Sequence, residues 1–238
     1  MRPVLPTLAL LLLVGCADQQ DARGCVSARD LASSVLRIDR AQGSAFITKS
    51  TEMVTVKHVA DAVEVSSTTW KYVTVSQKTQ LPFDVWNTST VLMRIKRVFA
   101  RNLPEELHLL EMQKQLTWPV SVTSLRKQPL NEGEPVTGIG YTHGRMRSAT
   151  GDFVSSKFTL QNSSVTTPMV QKPFSGFKLT NTNQQYPLAY GSSGGGIFDC
   201  GGSLVGAIAR AHNEKTPSHG RANVFAVPTH SVAKEILH

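Results

Sequence analysis

The stretch Gly191-Ser192-Ser193-Gly194-Gly195-Gly196 places two serines among four glycines, and the apolar pair Ile197-Phe198 follows it. Glycine adopts backbone conformations that other residues avoid, so such a turn can expose a serine hydroxyl and gather N–H groups around an oxyanion. A glycine-rich hairpin turn with incidental serines explains the same residues. The stretch by itself leaves both interpretations open.

A nucleophilic serine needs a base within hydrogen-bond reach, and the base needs an orienting carboxylate. The candidate base is His58, which ends an apolar run, and the candidate acid is Asp84, which lies between Phe83 and Val85. With Ser193 they follow one another in the order His, Asp, Ser. Taken singly, His58 could be a core histidine and Asp84 a solvated loop acid.

Short apolar and β-branched runs, separated by polar or glycine-rich breaks, predict strands along the whole chain. They lie at 35–38, 43–48, 53–59, 63–65, 72–75, 91–95, 135–140, 153–156, 177–180, 196–198, 204–209 and 223–227. Many short strands with little helix predict an all-β barrel or sandwich. The polar stretch 126–134 divides the chain into two halves.

Two helices are expected among these strands. Asn102 suits an N-cap and Pro104 a first turn, and the apolar Leu107 and Leu110 follow at helical spacing. These residues predict an inserted helix at 103–116. A short C-terminal helix is expected after Pro228, from Ser231 to Leu237.

The chain resembles the trypsin-like serine peptidases of the chymotrypsin fold, especially the bacterial HtrA/Deg-type peptidase domain. The motifs that carry this resemblance are Gly43-Ser44-Ala45-Phe46-Ile47, Val54-Thr55-Val56-Lys57-His58-Val59 and Gly191-Ser192-Ser193-Gly194-Gly195, with the segments 135–156 and 222–237. The resemblance implies one peptidase domain at 31–238, built from two six-stranded antiparallel β-barrels at about 31–126 and about 134–230. A PDZ domain, which HtrA/Deg enzymes carry after the peptidase domain, is not expected in this chain.

The resemblance also implies a role for each site residue. Ser193 would be the nucleophile, His58 the base and Asp84 the orienting acid, with the N–H groups of Gly191 and Ser193 as the oxyanion hole. The first specificity pocket would be lined by Leu188, Ala189, Tyr190, Ala209 and Arg210. Neither of the stretches that contain these pocket residues, 186–190 and 208–211, has a carboxylate. This argues against Lys or Arg as the substrate residue in the pocket and favours a small or medium apolar residue. Because Arg210 and His212 are basic, a preference for an acidic substrate residue is the alternative.

Two features of the chain depart from the family. The digestive peptidases of animals in this family carry an aspartate where this chain has Ser192. Activation through a salt bridge to a freed N-terminus is therefore not expected. The segment Trp86-Asn87-Thr88-Ser89 interrupts the apolar strand that usually follows the acid. A serine endopeptidase is therefore the first hypothesis, and a non-catalytic binding protein on the same fold is the alternative.

Residues 1–15 have the positive start and short apolar core of an export signal. Their end, Leu13-Val14-Gly15-Cys16, resembles the lipobox of bacterial lipoproteins, which implies lipidation of Cys16 and a tether at 16–30. The protein is then expected in the bacterial envelope, at the outer membrane or the periplasmic face. Cleavage after Ala17 and free secretion are the alternative.

Cys25 and Cys200 remain as an even pair in an oxidising compartment, and either a disulfide or two free thiols fits them. The net charge of +8 is spread along the chain without a nucleic-acid motif, so no nucleic-acid partner is expected. The expected partners are protein or peptide substrates and, through the lipid, the membrane. The sequence predicts neither a cofactor nor a metal site.

Overall fold

The computed structural model describes residues 24–80, 86–98, 106–158, 174–180, 188–213 and 221–229. Within these ranges the strands form two closed barrels of six strands each, and every neighbouring pair is antiparallel. The predicted all-β fold with two six-stranded barrels is confirmed. The helix expected at 231–237 lies outside the described residues.

The first barrel is formed by β1 (Val35–Ile38), β2 (Gly43–Lys49), β3 (Glu52–Val56), β4 (Lys71–Gln80), β5 (Trp86–Val98) and β6 (Leu107–Met112). Around the barrel the strands pair in the order β1-β2-β3-β6-β5-β4. The first six residues of β2 are all buried, where a strand with one solvent face would alternate. Near its start β2 contacts the second barrel, where Ser44 forms hydrogen bonds with Gly191 and Tyr141.

The second barrel is formed by β7 (Pro135–Thr142), β8 (Arg145–Phe158), β9 (Phe174–Thr180), β10 (Gly196–Asp199), β11 (Leu204–Asn213) and β12 (Arg221–Pro228). They pair in the order β10-β11-β12-β9-β8-β7 around a separate apolar cluster that includes Val136, Ile197 and Val224. β7 and β8 are joined by the two residues His143 and Gly144, with φ of 47° and 75°. A positive φ at both positions is typical of a tight hairpin turn.

The helix predicted at 103–116 is wrong for the residues that the structure describes. Leu107–Met112 forms β6, which pairs with β3 on one side and with β5 on the other and thereby closes the first barrel. Leucine has a high helix propensity, but propensity is a weak determinant of structure, and here the pairing that closes the barrel overrides it. The predicted strand at 63–65 is also wrong, because Val63 and Glu64 form a turn in which Glu64 has a φ of 53°.

The helices of the described residues are short. They are α1 (Ala28–Leu31), a 3₁₀ turn (Ala32–Ser34) and α2 (Lys57–Ala62). In the part of the chain that the structure describes, none of them has the length and apolar composition needed to cross a membrane. α2 matters for function, because it begins directly after β3 and contains His58.

A disulfide joins Cys25, near the start of the described chain, to Cys200 in the turn between β10 and β11. The two Cα atoms lie 4.3 Å apart across a sequence separation of 175 residues. The Val26 N–H donates to the Cys200 carbonyl at 3.0 Å, so the backbone is paired there as well. A crosslink over such a long loop restricts the unfolded chain and typically stabilises the fold by about 2–5 kcal/mol. Of the two alternatives left open by the sequence, the structure contains the disulfide.

Candidate active site

Ser193 lies in a tight turn at the junction of the two barrels. The Ser192 N–H donates to the Ala189 carbonyl at 3.0 Å, and the Gly195 N–H donates to the Ser192 carbonyl at 2.9 Å. Gly191 and Gly194 have φ of 97° and 84°, values that only glycine adopts without strain. The glycines noted in the sequence are therefore required by the path of this turn.

The turn rests on the first barrel through Ser44 and Thr55. The Ser44 N–H donates to the Ser193 carbonyl at 2.7 Å, and the Thr55 hydroxyl donates to the Ser44 carbonyl at 2.6 Å. A Cβ added to Gly194 would collide with the Ser44 carbonyl oxygen and the Thr55 hydroxyl. This close approach places Ser193 beside the last residues of β3.

Ser192 is fully buried, and its hydroxyl donates to the Ala189 carbonyl at 2.7 Å. This polar group is satisfied inside the turn and needs no charged partner from elsewhere in the chain. Ser193, in contrast, is only half-buried, so its hydroxyl is the one that a ligand can reach. The structure thus distinguishes the two serines as the sequence motif did.

His58 is the second residue of α2 and follows Thr55 by three positions. The sequence placed it in a strand, but β3 ends at Val56 and the chain turns into the helix before the histidine. Its side chain remains exposed, yet the protein atoms packed around the ring exclude enough water to lower the pKa of His58. The carboxylate of Asp61 opposes this shift without cancelling it. A lowered pKa keeps the imidazole neutral at pH 7, and a neutral imidazole is able to accept a proton.

Asp61 is close to His58 in sequence, but its carboxylate is held by other groups. It accepts from Arg97 at 2.8 Å and from Lys57 at 3.1 Å. Partial burial acts to raise the pKa of Asp61, and the hydrogen bonds from Arg97 and Lys57 outweigh it and leave the pKa below its ordinary value. The candidate acid of the sequence, Asp84, lies outside the described residues.

The hydroxyl of Ser193 donates to the Ala209 carbonyl at 3.3 Å. Ala209 lies where the register of β11 against β12 shifts, between Ile208 and Arg210. Such a bulge leaves one residue outside the regular ladder, which frees its carbonyl for a side-chain partner. Ser193 and Ala209, predicted separately as nucleophile and pocket residue, are thus in contact.

The N–H groups of Gly191 and Ser193, expected to form an oxyanion hole, have no hydrogen-bond partner among the described residues. The carbonyl of Tyr190, which precedes Gly191, accepts from the His143 N–H at 3.2 Å. A carbonyl and the following N–H of a trans peptide point in opposite directions. The Gly191 N–H therefore points away from His143.

The remaining pocket residues have different environments. Leu188 is fully buried in the core of the second barrel, Ala189 is half-buried, and Tyr190 is 66% exposed. The backbone of Arg210 pairs with Phe225 in β12. Leu188 therefore contributes to packing, whereas Ala189, Tyr190 and Ala209 surround the serine turn.

Ser44 and Thr55 are residues of the candidate site to which the sequence assigned no role, although both were quoted in family motifs. Both are fully buried polar residues that lie in a strand next to buried apolar ones. Buried hydroxyls need partners, so a polar residue in such a strand is the signal that could have identified them. Among the residues that the structure describes, no cluster of His, Cys, Asp or Glu is arranged to hold a metal ion.

Comparison with protein families gives one match, in which a model of the trypsin-like peptidase domain covers residues 43–206. This segment contains His58, Asp84, Ser193 and most of both barrels. A comparison with curated proteins by sequence finds no match.

Several solved structures share the fold at low sequence identity. The MamO protease domain from Magnetospirillum magneticum is 16% identical with a TM-score of 0.56, over 86% of this chain and 96% of that one. The Rv3671c protease from M. tuberculosis in its active form is 17% identical with a TM-score of 0.55, over 87% and 81%. The HtrA-type protease AlgW, solved with a decapeptide, is 18% identical with a TM-score of 0.52, over 82% of this chain and 50% of that one. At such identities the likeness shows a shared fold.

Proposed function

The chain belongs to the trypsin-like peptidase family, as its motifs predicted, and from this premise we propose that it is a serine endopeptidase. Family membership supports a protease. Ser193 would be the nucleophile, His58 the base and Asp84 the acid that orients His58. The observation that carries the proposal is the glycine turn. The backbone carbonyl of Ser193 accepts from the Ser44 N–H there, which holds the half-buried Ser193 beside β3 and the helix that contains His58.

The mechanism would be acyl transfer. The Ser193 hydroxyl attacks the carbonyl carbon of the scissile bond while His58 accepts its proton, and the negative charge on the carbonyl oxygen meets the N–H groups of Gly191 and Ser193. His58 then gives the proton to the leaving amine, and the C–N bond breaks. A water molecule, deprotonated by His58, releases the acyl group and restores Ser193.

The bond from Ser193 to the Ala209 carbonyl describes the resting site. In the proposed mechanism the Ser193 hydroxyl would exchange this acceptor for the imidazole of His58 by moving between staggered side-chain positions.

An extended substrate would bind along β11. From Arg210 to Asn213 this strand pairs with β12, and on its other side no described strand pairs with it, because β10 ends its pairing at Ala207. An open strand edge binds peptide backbone by adding a strand. The small side chains of Ala189 and Ala209 suit a small or medium apolar residue next to the scissile bond, and an acidic residue is the alternative.

Replacement of His58 by alanine tests the function. We expect casein hydrolysis by the purified chain to fall by about 10⁶-fold in His58→Ala, because the triad residues act as a unit and the serine is a poor nucleophile without its base. Since the base must be neutral and its pKa is lowered, kcat/KM of the wild type should decline only below the ordinary histidine value of about 6.5. In Asp61→Asn, which lacks the opposing carboxylate, the decline should move to still lower pH.

Casein hydrolysis that is unchanged in His58→Ala would refute the mechanism. A folded wild-type protein without any hydrolysis would favour the alternative, a non-catalytic binding protein on this fold.

For location, we propose export and a lipid anchor at Cys16 in the bacterial envelope. The Cys25–Cys200 disulfide supports export, because disulfides persist in oxidising compartments. We expect the wild type to fractionate with membranes and Cys16→Ser to be released from them, as measured by immunoblotting of both fractions. Membrane association that is unchanged in Cys16→Ser would exclude this anchor.

A further inference from the structure

Ser44 connects the first barrel to the serine turn through more than its backbone. Its hydroxyl donates to the Gly191 carbonyl at 3.0 Å and accepts from the Tyr141 N–H at 2.9 Å. Its own N–H donates to the Ser193 carbonyl at 2.7 Å. One fully buried side chain therefore bridges β2, β7 and the turn, and both recorded hydrogen bonds of its hydroxyl are made to the second barrel.

The second barrel holds its part of this bridge firmly. Tyr141 is 1% exposed, and its hydroxyl accepts from the Lys78 N–H in β4 at 2.8 Å. Tyr141 is thus connected to the first barrel at both ends of the residue, through its N–H to Ser44 and through its hydroxyl to β4. The position of Ser44 relative to the turn is fixed by packing as well as by hydrogen bonds.

Gly191 lies between two anchored peptide groups. The carbonyl before it, that of Tyr190, is held by the His143 N–H, and its own carbonyl is held by the Ser44 hydroxyl. Glycine has no side chain to resist rotation of these peptides, and Gly191 has a φ of 97°. The carbonyl of Gly191 belongs to the peptide between Gly191 and Ser192, which lies between the two oxyanion donors. Without the second anchor this peptide could rotate, and the spacing between the N–H groups of Gly191 and Ser193 would change.

We propose that the hydroxyl of Ser44 is a positioning group for the oxyanion hole, acting through the carbonyl of Gly191. This inference rests on the proposed peptidase function and adds a residue to it. The N–H groups of Gly191 and Ser193 meet full negative charge only in the transition state, so their relative position affects that state more than substrate binding. Ser44 therefore determines kcat and leaves KM nearly unchanged.

The test compares Ser44→Ala with Ser34→Ala. Ser34 is a matched control, because its buried hydroxyl donates to a backbone carbonyl, that of Leu31, at 2.6 Å, and it has no contact with the turn. Each variant loses one buried hydroxyl, which costs about 1–3 kcal/mol of stability. A purely structural role for Ser44 would thus lower the melting temperature of both variants and the turnover of neither.

We expect kcat for casein-derived peptides to fall at least about 10-fold in Ser44→Ala, below the roughly 10²–10³-fold cost of losing an oxyanion donor outright. KM should stay within about 2-fold, and the rate of sulfonylation by phenylmethylsulfonyl fluoride should fall with kcat, since the sulfonyl oxygen uses the same N–H groups. Ser34→Ala should match the wild type in all three. If Ser44→Ala does not fold, Ser44→Cys takes its place, because it keeps a side chain of similar shape with a weaker donor. Its loss of kcat relative to the wild type should be smaller than the loss expected for Ser44→Ala.

Equal kcat and sulfonylation rates in Ser44→Ala and Ser34→Ala, with an active wild type, would overturn the role of Ser44 and leave the peptidase function standing. A fall in kcat matched by an equal rise in KM would also overturn it. A folded wild type that neither cleaves peptides nor reacts would overturn the proposed function and this inference with it.

Discussion

Ser193→Ala should hydrolyse casein about 10⁶-fold more slowly than the wild type while remaining folded. The hydroxyl supplies the attacking oxygen, and no other described group in the turn can replace it, because the Ser192 hydroxyl is buried and donates to Ala189. The measurement is the initial rate of casein cleavage together with thermal unfolding followed by circular dichroism.

Stability should change little in this variant. The Ser193 hydroxyl makes one hydrogen bond in the described structure, at 3.3 Å to Ala209, and a half-buried bond of this length contributes at most about 1 kcal/mol. Cleavage that persists in Ser193→Ala at the wild-type rate would show that another group, or a contaminating peptidase, carries the activity.

The second large effect is expected from Gly194→Ala. A Cβ on Gly194 would collide with the Ser44 carbonyl oxygen and the Thr55 hydroxyl, one of which is backbone and cannot move aside. The φ of 84° adds strain. We expect the turn to leave the first barrel, with a loss of roughly 3–5 kcal/mol of stability from backbone strain, overpacking and broken hydrogen bonds. Because the turn carries Ser193 and the oxyanion donors, activity should be abolished as well.

Gly133→Ala is the matched control for this variant. Gly133 has a similar φ, 80°, but nothing lies within 4 Å of an added Cβ. Gly133→Ala measures the cost of the backbone conformation without the collision, about 1–2 kcal/mol, and this variant should retain activity. Urea unfolding of both variants separates the two contributions. Equal destabilisation by Gly194→Ala and Gly133→Ala would contradict the close packing of the turn on Ser44.

Much of the fold followed from local sequence patterns. Alternating and β-branched runs predicted most strands, and the polar stretch 126–134 separated the two halves that form the barrels. The segment 107–112 was assigned wrongly because a leucine-rich run fits both helical and strand spacing. Only its pairing with β3 and β5, which is distant in sequence, decides between the two.

Part of the candidate site could be proposed from the sequence, where the residue type itself carries the chemistry. The glycine turn, His58 and the chain order His58, Asp84, Ser193 were visible in the sequence. The structure places Ser193 and the helix of His58 at the same junction. The bridge through Ser44 was not predicted, because a hydrogen bond across 147 residues leaves no local pattern. The disulfide was left open for the same reason, since nothing in the sequence brings Cys25 to Cys200.

The most direct test of the proposed catalysis is to map the adduct of a fluorophosphonate probe by peptide mass spectrometry. The account predicts one phosphonyl group, attached to Ser193 in the wild type, strongly reduced in His58→Ala and absent from Ser193→Ala. The same labelling in Ser193→Ala, or an adduct on Ser192 in the folded wild type, would contradict it.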